Sequence, residues 1–190
     1  MKRLLLVGLL ATLVASTGCT TIATQAYYGA TGASARYFEV QSLGGPGSLD
    51  RYQGVQVDPF DPALMLGAIP ADVVSAVPPN VVAQLTKMKV FTAVGMKVSA
   101  KPTLIIRGRF MDYDPGSSMV RAVYGSDPTL TAQIYLIDAE TNQTVGVAMV
   151  TGIIKSVVRA NPTEMASGVS KAIKGLLMAH MTRKPPKDED

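Results

Sequence analysis

Apolar and polar positions change rhythm three times along the chain. Leu4 to Val14 is a mostly apolar run behind Lys2 and Arg3. Residues 19–53 lose periodicity and are rich in Gly, Ser, Ala and Thr, with Gly44-Gly45-Pro46-Gly47 near the end. That composition reads as a tether, in which Tyr37–Leu43 has the makings of one short strand. From Gly54 onward the pattern is regular. Val55 and Val57 alternate with polar neighbours, predicting a strand over 54–58 that stops at Pro59. A short helix is expected near Ala71–Ala76. Pro78-Pro79-Asn80 then precedes a second helical pattern with Val81, Val82, Leu85 and Met88 on one face.

Alternating segments follow, predicting strands over 91–98, 103–112, 119–124, 130–137 and 144–158. In 103–112, Leu104, Ile106 and Phe110 share one face and Arg107 and Arg109 the other. Leu130, Ala132, Ile134 and Leu136 face inward together. Gly146 and Gly152 interrupt the last strand, where a bulge is expected. Asn161, Pro162 and Glu164 form a helix start by capping chemistry. Met165, Val169, Ala172, Ile173, Leu176 and Leu177 continue it as an apolar stripe suited to packing on a sheet. The class is therefore α+β, with a mostly antiparallel sheet of about five strands and two main helices on one face. The divisions are 1–18 leader, 19–53 tether, 54–181 globular domain and 182–190 disordered tail.

The leader changes the picture of where the chain works. A positive start, a short apolar run and small residues Ala15-Ser16-Thr17-Gly18 before Cys19 read as a lipoprotein signal peptide, cut before Cys19. The apolar run is shorter than the about 20 residues that a membrane span needs. Cys19 is the only cysteine, so no internal disulfide can form. Its thiol is the expected acceptor of diacylglycerol, with another acyl chain on the new amino terminus. This covalent lipid is the only cofactor-like group expected. Thr20 stands where an Asp often signals inner-membrane retention, which favours the outer membrane facing the periplasm. An ordinary signal peptide with an incidental cysteine, or an uncleaved anchor, is the alternative. The chain carries 18 basic and 14 acidic residues, and losing Lys2 and Arg3 lowers its net charge from +4 to +2. With no basic run and no Trp, nucleic-acid binding gains no support.

Candidate chemistry is sparse. His180 is the only histidine and reads as a surface cation at a helix C-terminus. Asp58 with Asp61, and Asp112 with Asp114, are acid–base or cation-binding candidates whose simpler role is capping turns. No metal-ligand cluster, phosphate loop or nucleophile motif is present. Arg107, Arg109 and Arg121 could form an anion-facing surface if their strands pair; the alternative is a solvated face balanced by Asp112 and Asp114.

Segments VQVDPF (55–60), LTKMKVFTAV (85–94), LIIRGRFMDYDPGSSMVRAVYG (104–125) and LTAQIYLIDAETNQTVG (130–146) resemble, in order and spacing, the bacterial lipoprotein family with domain of unknown function 4410. The likeness runs from Gly54 to Ala179. It implies an envelope lipoprotein with an α+β domain and brings no activity with it. The expected role is a non-enzymatic accessory or binding module, tethered to a membrane and working with another envelope protein. A structural subunit of an oligomeric secretion or transport assembly is the alternative, and an unrecognised hydrolase the third.

Overall fold

The computed structural model describes residues 25–28, 33–62, 68–116, 127–154 and 162–184. Cys19 and the leader, Arg121 and the strand expected over 119–124, the Asn161 cap, residues 155–158 and the tail from 185 lie outside them. Strands β1 (Gln25–Tyr28), β2 (Ala33–Gln41) and β3 (Gly54–Val57) come first, then helix α1 (Ala71–Thr86). Strands β4 (Ala93–Gly95), β5 (Thr103–Asp114), β6 (Thr129–Asp138) and β7 (Thr144–Ile154) follow, and helix α2 (Pro162–Ala179) closes the order.

The class is α+β, as the patterning predicts, but the sheet corrects the expectation of about five mostly antiparallel strands. Among the described residues it is mixed, with seven strands in the order β1-β2-β7-β6-β5-β3-β4. β3 runs parallel to both β4 and β5. α1 returns the chain between β3 and β4, so those two strands point the same way, and residues 96–102 then carry the chain to the other side of β3, where β5 runs in that same direction. β4 is also shorter than the 91–98 expected, only Ala93–Gly95 at the sheet edge.

Two further expectations change. Residues 33–53 are not tether. β2 pairs along its length with β7, and Leu43, Leu49 and Tyr52 are buried core residues. The short helix at 71–76 and the later helical pattern are one helix, running through Pro78 and Pro79. Its stripe Val73, Val77, Val81 and Leu85 is buried without a break, and that packing outweighs the roughly 3 kcal/mol cost of an interior proline. Locally, the Asn80 side-chain amide donates to the Ala76 carbonyl at 2.8 Å.

Both helices pack on each other and on the sheet. Leu104, Ile106 and Phe110 from β5, Leu130, Ala132, Ile134 and Leu136 from β6, and Val150 and Ile154 from β7 are buried beneath them. Gly152 of β7 lies directly against the backbone of α2. A Cβ there would lie 2.7 Å from the Val169 amide nitrogen. Of the two glycines where a bulge is expected in β7, the β6–β7 register shifts at Gly146, where pairing jumps from Leu136–Gly146 to Ile137–Thr144.

Candidate functional site

The chemistry-bearing residues of the sequence meet where the chain leaves β3. Val57 pairs with Ile106, so the next residue, Asp58, is brought alongside Arg107. The Asp58 amide donates to the Ile106 carbonyl at 2.9 Å, and the Asp61 amide donates to the Gly108 carbonyl at 2.8 Å. Asp58-Pro59-Phe60-Asp61 is thereby laid against Arg107-Gly108-Arg109-Phe110.

Alternation along β5 gives this match two faces. On the inner face Phe60 covers Gly108, where a Cβ would come within 2.3 Å of the ring. Phe60 also meets Phe110 at 5.7 Å between centroids, tilted. On the outer face Arg107 donates to Asp58 at 2.9 Å and Arg109 to Asp61 at 3.1 Å. Each arginine thus already has a carboxylate partner, and the partners are Asp58 and Asp61 rather than Asp112 and Asp114. Both pairs stay open to solvent, with Arg107 55% and Arg109 46% exposed. Asp114 accepts from the Gly116 amide at 2.8 Å, the turn-capping role. Arg121 lies outside the described residues.

His180 corrects the reading of a surface cation. It is buried, with Nδ1 3.0 Å from the Gly44 carbonyl and Nε2 2.9 Å from a Glu39 carboxylate oxygen. A carbonyl and a carboxylate both accept, so the protonated ring is the form that donates to both. The His180 carbonyl in turn accepts from the amides of Gly47 and Leu49. Thr182 and Arg183, expected in the tail, continue the clasp. Thr182 donates to Asp50, and Arg183 donates to the Tyr52 carbonyl at 2.6 Å. The Thr182 hydroxyl is the chief reason the Asp50 carboxyl is held below its usual range.

A second polar cluster lies under the β6–β7 hairpin. Asp138 is buried and accepts from the amides of Glu140 and Thr141 at 2.9 and 3.0 Å. It also accepts from Arg51 at 2.8 Å and from the Tyr52 hydroxyl at 3.0 Å. The Thr141 amide leads in holding the Asp138 carboxyl below its usual range. Burial pushes the Tyr52 phenol up.

A groove of about 370 Å3 is lined by Gln56, Val98, Ser99, Lys101, Thr103, Ala139 and Glu140. It includes none of His180, Asp58 or Asp61. Among the described residues no group of three His, Cys, Asp or Glu could hold a metal ion, and no helix is long and apolar enough to cross a membrane. Sequence reasoning missed Glu39, Arg51, Tyr52 and Asp138. Only Asp138 left a signal, inside the segment LTAQIYLIDAETNQTVG that carries part of the resemblance.

The match of Asp-Pro-Phe-Asp to Arg-Gly-Arg-Phe gives structural meaning to two of the segments that carry the resemblance. A family model for a domain of unknown function, DUF4410, matches residues 49–156. The chain belongs to this family. The matched span runs from the turn before β3 to the end of β7. No curated protein matches the chain. Among solved structures, a PelC dodecamer from Paraburkholderia phytofirmans, in a leucine-to-methionine variant, is 14% identical with a TM-score of 0.52. The alignment covers 80% of this chain and 99% of that one. A second PelC dodecamer structure from the same organism is 13% identical over 80% and 99% of the two chains, with a TM-score of 0.49. A Xanthomonas campestris protein described with the family model DUF330 is 13% identical over 73% of this chain and 88% of that one, with a TM-score of 0.43. At such identities the first likeness speaks to the fold.

Proposed function

We propose that this chain is a lipid-anchored, non-enzymatic module of a bacterial envelope, held through Cys19 and presenting its open sheet face to another envelope component. The observation that carries the non-catalytic part is where the reactive side chains are spent. His180 ties Glu39 to Gly44, Asp58 and Asp61 neutralise Arg107 and Arg109, and Asp138 fastens Arg51, Tyr52 and a hairpin. Each arrangement satisfies the groups it joins and fastens one segment of the fold to another. The exposed Arg107–Asp58 and Arg109–Asp61 pairs lie on the outer sheet face, where a partner's acceptors can reach guanidinium N–H groups.

Anchoring is supported by the leader and by Cys19 as sole cysteine. Two or more acyl chains give stable attachment where one gives marginal attachment. The location we propose is the outer membrane, facing the periplasm. Expressed in a bacterium with radiolabelled palmitate, the Cys19→Ala precursor loses label and leaves the membrane fraction. Label retained at the level of the unaltered chain refutes the anchor.

A second reading, a subunit of an oligomeric envelope assembly, is favoured by one finding. The fold is like that of PelC, whose structure is a dodecamer, at a TM-score of 0.52.

A further inference from the structure

Strand β2 carries an apolar strip that the core does not use. Tyr37 turns inward and is buried, where it lies near Gly175 of α2. Its neighbours along the strand therefore face the other way. Phe38 is 45% exposed, and Val40, at the bulge between Glu39 and Gln41, is 55% exposed. Arg36 is exposed on the same side as Phe38.

The register of β1 places this strip beside the path to the anchor. Gln25 pairs with Tyr37 and Tyr28 with Ser34. Followed back towards Cys19, β1 ends at Gln25 opposite Tyr37, at the end of β2 that carries Phe38 and Val40. Only five residues separate Cys19 from Gln25. Fully extended, that connection reaches about 20 Å. The long tether expected from composition would let the domain roam, whereas a lipid on Cys19 with so short a connection would hold the β1–β2 edge at the bilayer.

We infer that Phe38 and Val40 form a membrane-contact strip that rests in the headgroup region of the bilayer holding the Cys19 lipid. This rests on the anchoring reading above. Aromatic and aliphatic side chains gain by leaving water at that depth, and Arg36 beside them meets lipid phosphates. The short connection makes the contact intramolecular in effect, so a strip too small to bind a membrane alone suffices. Phe38 shares its sheet face with the Arg107 and Arg109 pairs three strands away, and the twist of about 20–25° per strand turns the arginine end of that face away from the strip, leaving the pairs for a partner.

The chain contains no tryptophan, so single substitutions report cleanly. Phe38→Trp, Val40→Trp and, as control, Met96→Trp would be made in the full lipidated chain. Met96 is also exposed but follows β4 at the far edge of the sheet. Each variant is reconstituted in phosphatidylethanolamine–phosphatidylglycerol vesicles with brominated acyl chains. The expected result is emission quenched about twofold or more at positions 38 and 40, as for groups at the headgroup–acyl boundary, and unchanged at 96. If the protein floats with the vesicles but positions 38 and 40 are quenched no more than 96, the strip is refuted and the anchor stands. Protection of position 38 from both brominated lipid and aqueous iodide means that protein covers it, which also overturns the inference. If the chain fails to float at all, the anchoring reading falls and takes the strip with it.

Discussion

Asp138 shows how much one carboxylate holds in this protein. It takes hydrogen bonds from two backbone amides, a guanidinium and a phenol. Because its folded-state pKa is lowered, its contribution to stability is fully present above the unfolded carboxylate pKa. The contribution is lost as pH falls through the folded value. Asp138→Asn keeps the shape and removes the charge. The substitution should cost about 2 kcal/mol at neutral pH, the scale of hydrogen bonds to a charged group. Urea unfolding across pH tests this: the gap between the two proteins closes on the acid side. A gap that is constant from neutral pH to below the carboxylate range would mean the charge contributes nothing. The exposed Arg107 and Arg109 pairs are a contrast, since ion pairs in water contribute about 0–1 kcal/mol.

Between elements, packing is set by what is missing as much as by what is present. Gly168 of α2 sits on Gly152 of β7, and a Cβ on Gly168 would lie 2.8 Å from the Gly152 Cα. In an exposed helix, glycine to alanine gains about 1 kcal/mol through propensity. Here the opposing atom is backbone and cannot rotate away. Gly168→Ala should therefore lose about 1–3 kcal/mol net, the range for overpacking. Gly175→Ala is the control. Its Cβ would lie 3.3 Å from the Tyr37 ring, a side chain that can shift, so propensity offsets the strain. Thermal melts decide it. If Gly168→Ala melts at or above the unaltered protein, the close approach is not limiting. The same scale explains α1, where a continuous buried stripe carries the helix through Pro78-Pro79.

At the level of the whole molecule, the C-terminal end of α2 acts as a clasp. His180, Thr182 and Arg183 reach back to Glu39, Gly44, Asp50 and Tyr52, so the segment after α2 is fastened to β2 and to the connection between β2 and β3. Under the proposed function the molecule works singly, and under the second reading it joins copies of itself. Native mass spectrometry of the lipidated chain released in mild detergent separates the two. The accessory-module reading gives a monomer. A discrete oligomer of defined copy number would establish the assembly reading in its place.

Side-chain periodicity needs only neighbours along the chain, and there the sequence alone was sufficient. It determined the inward faces of β5 and β6, the stripe of α2 and the α+β class. It also carried the family resemblance, because Asp-Pro-Phe-Asp and Arg-Gly-Arg-Phe are short unbroken strings. Partners far apart in the chain leave no such trace. Tertiary structure alone decided that β3 lies parallel to β5, which sets Asp58 against Arg107 and Asp61 against Arg109. It also decided that residues 33–41 belong to the sheet, since a strand of mixed composition is recognised by the β7 edge it joins. The histidine that reads as a helix-end cation is buried for the same reason: Glu39 and Gly44 are more than 130 residues away in sequence and meet it only when the sheet has formed.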